Sequence, residues 1–493
     1  MTEQVRPFSI AVAALGGQGG GVLAQWIVDV AEANGYMAQY TSVPGVAQRT
    51  GATIYYIEIF PESVVAEKGQ MPVMALMPAP GDVDVVIAAE LLEGGRAVAR
   101  RFVSPTLTTL IVSDHRVYSI SEKEVPGDGR ANEETVREAI AKAAKRLILF
   151  DMNAAAEETG SVISAVLFGA LAGSNALPFS REQYENVIRA SGKAVETNLK
   201  GFALGYEGAQ QGIVAKPAAD VDLRPADALA TRINAFPQNV QKTMRLGAAR
   251  LVDYQDLAYA NTYIDRLEQV RAAAGNADAE HKLLHETARY LALWMSFEDV
   301  MRVADLKTRS GRLDKIGQEV RARPGQHYYV VEYFHPRWEE FCDTLPAWLG
   351  RRLLASQTAQ KIFGPLFSKG RHIHTAKLSG FLPLYILARL RRWRRGTLRF
   401  KKENAAIEAW LQLVKDVAAK DYALAVEIAQ CPRLIKGYGD THARGMERYS
   451  RIIELAQQWL GQADAAARVA ALRTAALKDA EGAAFTAELQ KVA

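Results

Sequence analysis

The run Gly16-Gly17-Gln18-Gly19-Gly20-Gly21 is where the sequence concentrates its chemistry. Five glycines between an apolar segment, Phe8 to Leu15, and a helical pattern opening at Val22 leave a backbone uncovered by side chains. Its N–H groups can turn toward an anion or an approaching chain, and a helix N-terminus adds partial positive charge. The same glycines would equally let helix and strand pack closely, so packing alone stands as the alternative.

Known phosphate binders fit the run poorly. Gly19, Gly21 and Ala24 satisfy a relaxed G-x-G-x-x-A dinucleotide fingerprint, but Tyr40-Thr41-Ser42 stands where the ribose-binding acid belongs. Val22 occupies the place of a Walker lysine. A second motif, Ser42-Val43-Pro44-Gly45-Val46-Ala47-Gln48-Arg49-Thr50-Gly51, links two strands on what should be the carboxyl edge of a sheet. Ligands of open α/β folds bind at that edge. Gln48 and Arg49 could present an amide and a guanidinium to an anion or a neighbouring carboxylate, or Arg49 could be salt-bridged within the loop.

These loops need a scaffold, and the first 207 residues supply one. Strands are expected at Ser9 to Leu15, Met37 to Ser42, Ala52 to Phe60, Val83 to Ala88, Thr108 to Val112 and Leu147 to Asp151, with an edge strand at Val117 to Ile120. Helical patterns fall at Val22 to Asn34, Glu90 to Arg101, Asn132 to Lys145 and Ser161 to Glu207. The alternation predicts a Rossmann-like α/β domain with a mainly parallel sheet covered on both faces. Gly208 to Pro225 reads as a linker. From Ala226 onward the pattern is almost entirely α-helical, with long stretches at Val240 to Ala274, Ala279 to Asp305, Ala405 to Ile428 and Arg448 to Leu460. His327 to Phe334 reads as a strand or an extended insertion. The expected organisation is therefore an α/β domain over 1–207, a linker over 208–225 and a mostly helical domain over 226–493.

Three motifs in this order resemble one family. The GGQGGG loop, Gly45-Val46-Ala47-Gln48-Arg49-Thr50-Gly51, and Ala194-Val195-Glu196-Thr197-Asn198-Leu199-Lys200-Gly201-Phe202 look like the γ-type module of 2-oxoacid:ferredoxin oxidoreductases. The Ala-Gln-Arg-x-Gly form is most similar to the β subunit of indolepyruvate oxidoreductases. The helical half resembles an extension carried by some members, on Phe297 to Lys307 and Leu434 to His442. The resemblance implies an oxidoreductase subunit that holds no cofactor or metal and has no catalytic residue of its own. A partner α subunit would carry thiamine diphosphate, Mg²⁺ and [4Fe-4S] clusters. It would decarboxylate an arylpyruvate, oxidise the product in single-electron steps and pass the acyl group to coenzyme A, with electrons leaving to ferredoxin. On this reading Gly16, Gly17, Gln18, Gly19, Gly20 and Gly21, with Ser42, Gln48 and Arg49, meet coenzyme A or the partner's cofactor domain.

Composition is compatible with that division. Cys342 and Cys431 are too few and too far apart for a cluster or a structural zinc site. The net charge of +5 does not by itself imply nucleic acid or an anionic membrane, and neither is expected as a partner. No signal core and no membrane-length apolar run is present, which makes the cytoplasm the expected location. Between Asp343 and Glu403 lie fourteen basic residues and no acidic one, leaving the remainder of the chain at −9. This basic region, 351–402, is expected either to dock ferredoxin or another electron acceptor or to be neutralised by the protein's own acidic helices. The arginines at 389, 391, 392, 394 and 395, stepped as a helix, spread over more than half its circumference, which argues against a membrane-surface helix. His281 and His285 lack the glutamate of a zincin, and Asp440-Thr441-His442 has no nucleophile to complete a triad. A free-standing nucleotide-binding oxidoreductase and a non-catalytic scaffold are the competing readings.

Overall fold

The computed structural model describes residues 6–43, 53–69, 71–119, 122–123, 129–211, 223–320, 322, 325–334, 337–367, 370–437, 439–479 and 481–492. They fall into two compact units, 1–218 and 219–493.

The first unit is built on β1 (Phe8–Ala14), β2 (Tyr36–Val43), β3 (Thr53–Pro61), β4 (Val85–Ala88), β5 (Thr109–Ser113) and β6 (Arg146–Phe150). They form one sheet in the order β2-β3-β1-β4-β5-β6. β1, β4, β5 and β6 run parallel, with Ile10 opposite Val85, Val85 opposite Thr109 and Thr109 opposite Arg146. Parallel strands covered on both faces need apolar side chains in both directions, and β1 and β4 are buried almost end to end. β3 is antiparallel to both β1 and β2. Residues 44–52 join β2 to β3, too few for the crossover that a parallel pair requires. The sheet is thus mainly parallel with an antiparallel flank.

Eight helices cover it among the described residues: α1 (Gly20–Glu32), α2 (Glu62–Lys68), α3 (Leu91–Ala99), α4 (Glu133–Ala143), α5 (Met152–Thr159), α6 (Ile163–Gly173), α7 (Arg181–Ser191) and α8 (Val195–Gln211). Every residue of α6 is buried, as a helix apolar all round must be. No single helix among the described residues is long and apolar enough to cross a membrane.

The edge strand expected at Val117 to Ile120 does not form over 117–119, and Ile120 lies outside the described residues. Carboxylates replace a ladder partner there. Val117 N donates to Glu90 Oε2 at 3.5 Å and Ser119 N to Glu122 Oε2 at 2.9 Å.

The second unit is helical, and its long sequence patterns are broken by aspartate caps. Asp256 accepts from Tyr259 N at 2.8 Å and starts Leu257–Ala274 after Gln238–Tyr254 has ended. Asp299 accepts from Arg302 N at 2.7 Å and separates Val300–Thr308 from Lys282–Met295. Asp421 does the same for Tyr422–Gln430 after Leu398–Ala418. Each cap satisfies amides that a continuous helix would have paired internally. Of His327 to Phe334 only β7 (Val331–Phe334) is a strand, and it pairs with β8 (Arg371–His374), which sequence pattern did not reveal. Trp294, Trp410 and Tyr449 meet at the centre, with ring centroids 5.8 Å and 5.4 Å apart.

Candidate functional site

Because β1, β4, β5 and β6 are parallel, their carboxyl ends share one edge of the first unit, and the glycine run leaves β1 there. Gln18 N donates to Leu15 O at 3.1 Å, and Gln18 Oε1 accepts from Leu15 N at 2.8 Å. These two hydrogen bonds turn the chain back on itself and commit the Gln18 side-chain carbonyl to the turn. Gly17 (φ 90°) and Gly19 (φ 71°) occupy the left-handed region that an L side chain resists. Gly19 is the N-cap of α1, and no side chain caps the helix.

The glycines divide by what surrounds them. A Cβ on Gly20 would lie 2.6 Å from Ala14 Cβ and 2.7 Å from the Tyr55 ring, so Gly20 lets α1 sit against the sheet. A Cβ on Gly19 would lie 2.9 Å from Ser164 Oγ. That hydroxyl is buried and has no hydrogen-bond partner among the described residues. Gly16 and Gly17 are exposed and a Cβ on either would meet nothing within 4 Å. Close packing therefore accounts for Gly19 and Gly20, and not for Gly16 or Gly17. The uncapped start of a 13-residue helix beside a bare turn has the donor set for a phosphate or carboxylate.

Ser42 is exposed near the end of β2, opposite Tyr55, whose ring packs on Gly20. Gln48 and Arg49 lie outside the described residues. The strands that carry their loop end at this edge, with Thr53 opposite Ala14 and Val43 opposite Ile54. The structure thus brings Ser42, the glycine run and both anchors of the Gln48–Arg49 loop to one place.

A charged cluster on the same edge was not foreseen. Glu90, one residue before α3, caps that helix through Glu93 N at 3.0 Å and accepts from Arg116 Nη1 at 2.9 Å. Arg116 also pairs with Glu122, and its Nε lies 3.8 Å from Glu133. Burial pushes the Glu90 carboxyl up from its ordinary value despite bonds from the backbone and Arg116. Glu122 is pushed up by burial too, but amides of Ser119 and Ala131 and the Arg116 charge outweigh this and hold it down. Beside them Ser113 Oγ accepts from Met152 N at 3.0 Å and bonds His115 Nδ1 at 2.7 Å. Burial lowers the His115 pKa. Ser113 is fully buried, so the pair orients a neutral imidazole and offers no nucleophile. Arg116 is consumed by carboxylates and is not an anion receptor. The only sequence signal was position, since Glu90 and Asp114 to Arg116 each follow an apolar strand.

The third motif serves packing. Gly201 and Phe202 lie on α8, where a Cβ on Gly201 would strike Ser161 and one on Gly169 of α6 would strike the Phe202 carbonyl. Among the described residues no group of three or more His, Cys, Asp or Glu is placed to hold a metal ion. Cys342 and Cys431 are buried, and burial pushes the Cys431 thiol up to about 12. These residues do not fit an iron–sulfur cluster. His285 bonds Thr243 Oγ1 at 2.9 Å, and Asp440 holds Arg337 in a two-pronged pair at 2.7 and 2.8 Å. His442 faces Arg399 Nη2 at 2.9 Å and is no part of a triad.

The basic region is sorted by its neighbours. Arg394 is buried against Asp299 at 2.6 Å, and Arg395 pairs with Asp256 at 2.7 Å. Arg399 lies 2.7 Å from Glu403, and Lys402 pairs with Asp343 at 2.8 Å. Lys369 lies outside the described residues. Arg351, Arg352, Lys361, Arg371, Lys377, Arg389, Arg391, Arg392 and Lys401 form no ion pair among the described residues. Of the arginines at 389, 391, 392, 394 and 395 only Arg389 is on an α-helix, so helical stepping of these five does not apply. Leu390–Gly396 is a 3₁₀ helix.

Comparison with known proteins divides the chain as the two units do. Residues 9–208 match the family model of pyruvate ferredoxin/flavodoxin oxidoreductase, and residues 240–455 match a family of unknown function. The chain is 25% identical over 222 residues to indolepyruvate oxidoreductase subunit IorB of Thermococcus kodakarensis, covering 42% of this chain and 98% of that one. The corresponding subunit of Pyrococcus horikoshii is 26% identical over 226 residues, with the same coverage. The pyruvate oxidoreductase subunit PORC of Thermotoga maritima aligns with 41% of this chain and 97% of its own, at 19% identity and a TM-score of 0.27.

Proposed function

We propose that this chain, whose residues 9–208 form a domain of the pyruvate ferredoxin/flavodoxin oxidoreductase family, is the cofactor-free subunit of an indolepyruvate or arylpyruvate oxidoreductase. The complex converts an aryl 2-oxoacid to the aryl-acetyl coenzyme A thioester and passes electrons to ferredoxin. Thiamine diphosphate and iron–sulfur clusters on the partner subunit supply the decarboxylation and the electron sink. This chain supplies the junction where coenzyme A meets that centre.

The observation that carries the reading is the uncapped α1 terminus beside exposed Gly16 and Gly17, on the sheet edge where β2 and β3 deliver the Gln48–Arg49 loop. Backbone N–H groups of Gly20, Gly21 and Val22, at the start of α1, suit a diphosphate and form no hydrogen bond among the described residues. Arg49 adds a guanidinium suited to phosphate oxygens, and Ser42 a hydroxyl. The relatives named as indolepyruvate oxidoreductase subunits favour the aryl substrate.

The test is the double variant Gln48→Ala/Arg49→Ala in the reconstituted complex, assayed by arylpyruvate-dependent dye reduction. The coenzyme A KM should rise by roughly tenfold, as loss of one charge-assisted contact predicts. Unchanged turnover together with an unchanged coenzyme A KM refutes the assignment.

A further inference from the structure

Helix Leu378–Arg389 is apolar on both sides. Its inner face, Leu384 and Ala388, packs on Ala304 with Phe334, Ile373 and Leu387 around it. Gly380 sits so close to the His374 carbonyl that a Cβ there would collide with it. The helix is therefore fixed on the body of the second unit. Its outer face is bare all the same. Leu378 is 76% exposed, Leu382 47%, Tyr385 37% and Ile386 54%, and Trp393 in the following turn is 69% exposed. At 100° per residue the four helix positions span about a third of the circumference, one continuous stripe.

Cations adjoin the stripe along the chain: Lys377 immediately precedes Leu378, and Arg391 and Arg392 follow Arg389, none of the three in an ion pair among the described residues. Arg389 falls within the stripe, its guanidinium 4.8 Å from the Tyr385 ring centroid and hydrogen-bonded to the Tyr385 hydroxyl. Large exposed apolar faces of this kind mark interaction sites. Charge restricts what can cover it to an acidic surface. Apolar content restricts it further, since electron-carrier encounters are small and mostly polar, whereas lasting subunit contacts bury an apolar centre. A cation inside the stripe fits a carboxylate on a protein better than the core of a bilayer.

We infer that the outer face of Leu378–Arg389, with Trp393 and the surrounding arginines, is a permanent interface for the cofactor-carrying partner subunit, which presents an apolar patch rimmed by Asp and Glu. This rests on the proposed function for the partner's existence. Of the basic region, it places Lys377, Arg389, Arg391 and Arg392 at a structural seam and not at a transient carrier dock.

The experiment uses the full-length chain and the purified partner subunit, titrated by sedimentation velocity. The variant Leu382→Glu/Ile386→Glu places two carboxylates on exposed positions without touching the inner face. It should keep the circular dichroism and melting temperature of the wild type and bind the partner at least roughly 30-fold more weakly, the scale of a hot-spot loss. Trp393→Ser, outside the helix, should weaken binding by about tenfold and guards against local misfolding of the double variant. Partner affinity unchanged in both variants overturns the inference. So does unchanged partner affinity with a raised, salt-sensitive ferredoxin KM, which would make the face a carrier dock. Sedimentation of the wild-type chain, but not the double variant, with phosphatidylglycerol vesicles while partner affinity is unchanged overturns it in favour of a membrane. If wild-type chain and partner do not associate at all, the proposed function fails, and this inference with it.

Discussion

Two regions on the same sheet edge of the first unit handle polarity in opposite ways. The Glu90–Arg116–Glu122 cluster is dense in charge, and nearly all of that charge is spent inside the fold. The glycine run carries no charge, and a Cβ on exposed Gly16 or Gly17 would meet nothing within 4 Å. A crowded ionic site can thus be scaffold, while the ligand site proposed above is a stretch without charged side chains. Arg116 clamps the turns after β4 and β5 so that the edge keeps its shape. The glycines then present backbone at that edge.

If this contrast is right, removing the clamp should damage folding far more than chemistry. Arg116→Ala leaves Glu90 and Glu122, both nearly buried, without their cation. Breaking a buried pair by deleting one partner costs about 3–5 kcal/mol. Hydrogen-exchange protection of the β4 and β5 amides should fall accordingly. Protection equal to wild type would make the cluster dispensable and undo the comparison.

The glycine run itself separates packing from presentation. Gly20→Ala forces a methyl against Ala14 Cβ and the Tyr55 ring and should cost about 1–3 kcal/mol as overpacking. Gly16→Ala meets no neighbour, so its stability should stay within about 0.5 kcal/mol of wild type. In the complex the same methyl, standing over the exposed turn, should raise the coenzyme A KM. Thermal unfolding of the two variants and the kinetics of Gly16→Ala check this. Equal melting temperatures, or a Gly16→Ala enzyme with wild-type KM, would show the division to be false.

The bare turn at Gly16 and Gly17 was legible in the sequence and the Arg116 cluster was not, for a physical reason. Backbone exposure at Gly16 and Gly17 is a local property of glycines between an apolar strand and a helix, so it could be read from adjacent residues; the packing of Gly19 on Ser164 and of Gly20 on Tyr55 could not. The clamp joins Glu90 to Arg116 across 26 residues and exists only because β4 and β5 are neighbours in the sheet. The antiparallel flank was hidden in the same way, since alternation of strands and helices does not say where β3 returns. In the second unit apolar periodicity runs straight through Asp256, Asp299 and Asp421, although each is a helix-capping residue type. Side-chain caps on the amides of the following helices, not a loss of apolar pattern, mark these breaks. Arg394 looked like one more surface cation among fourteen. Asp299, 95 residues away in sequence, makes it a core residue.

The smallest effect tests whether the edge around Arg116 is closed to protons. Burial and the Arg116 charge depress the His115 pKa, while Asp151, Glu157 and Asp114 oppose them. A histidine whose folded pKa lies below its unfolded value of 6.5 contributes stability that is fully present above 6.5. That contribution is lost as pH falls through the depressed folded value, because the unfolded chain takes up the proton first. Stability of the first unit should therefore decline below pH 6.5 in the wild type, and His115→Gln should flatten that part of the curve by removing the titrating ring. Glu90 has the opposite sign. Its raised pKa gives stability present below the ordinary value of 4.5 and lost as pH rises through the folded one, so Glu90→Gln steepens the decline on acidification. Urea midpoints between pH 4 and 7.5 for the wild type and both variants separate the two slopes. A His115→Gln curve parallel to the wild type would mean that solvent reaches the imbedded edge and that the Ser113–His115 pair is not sealed beneath it.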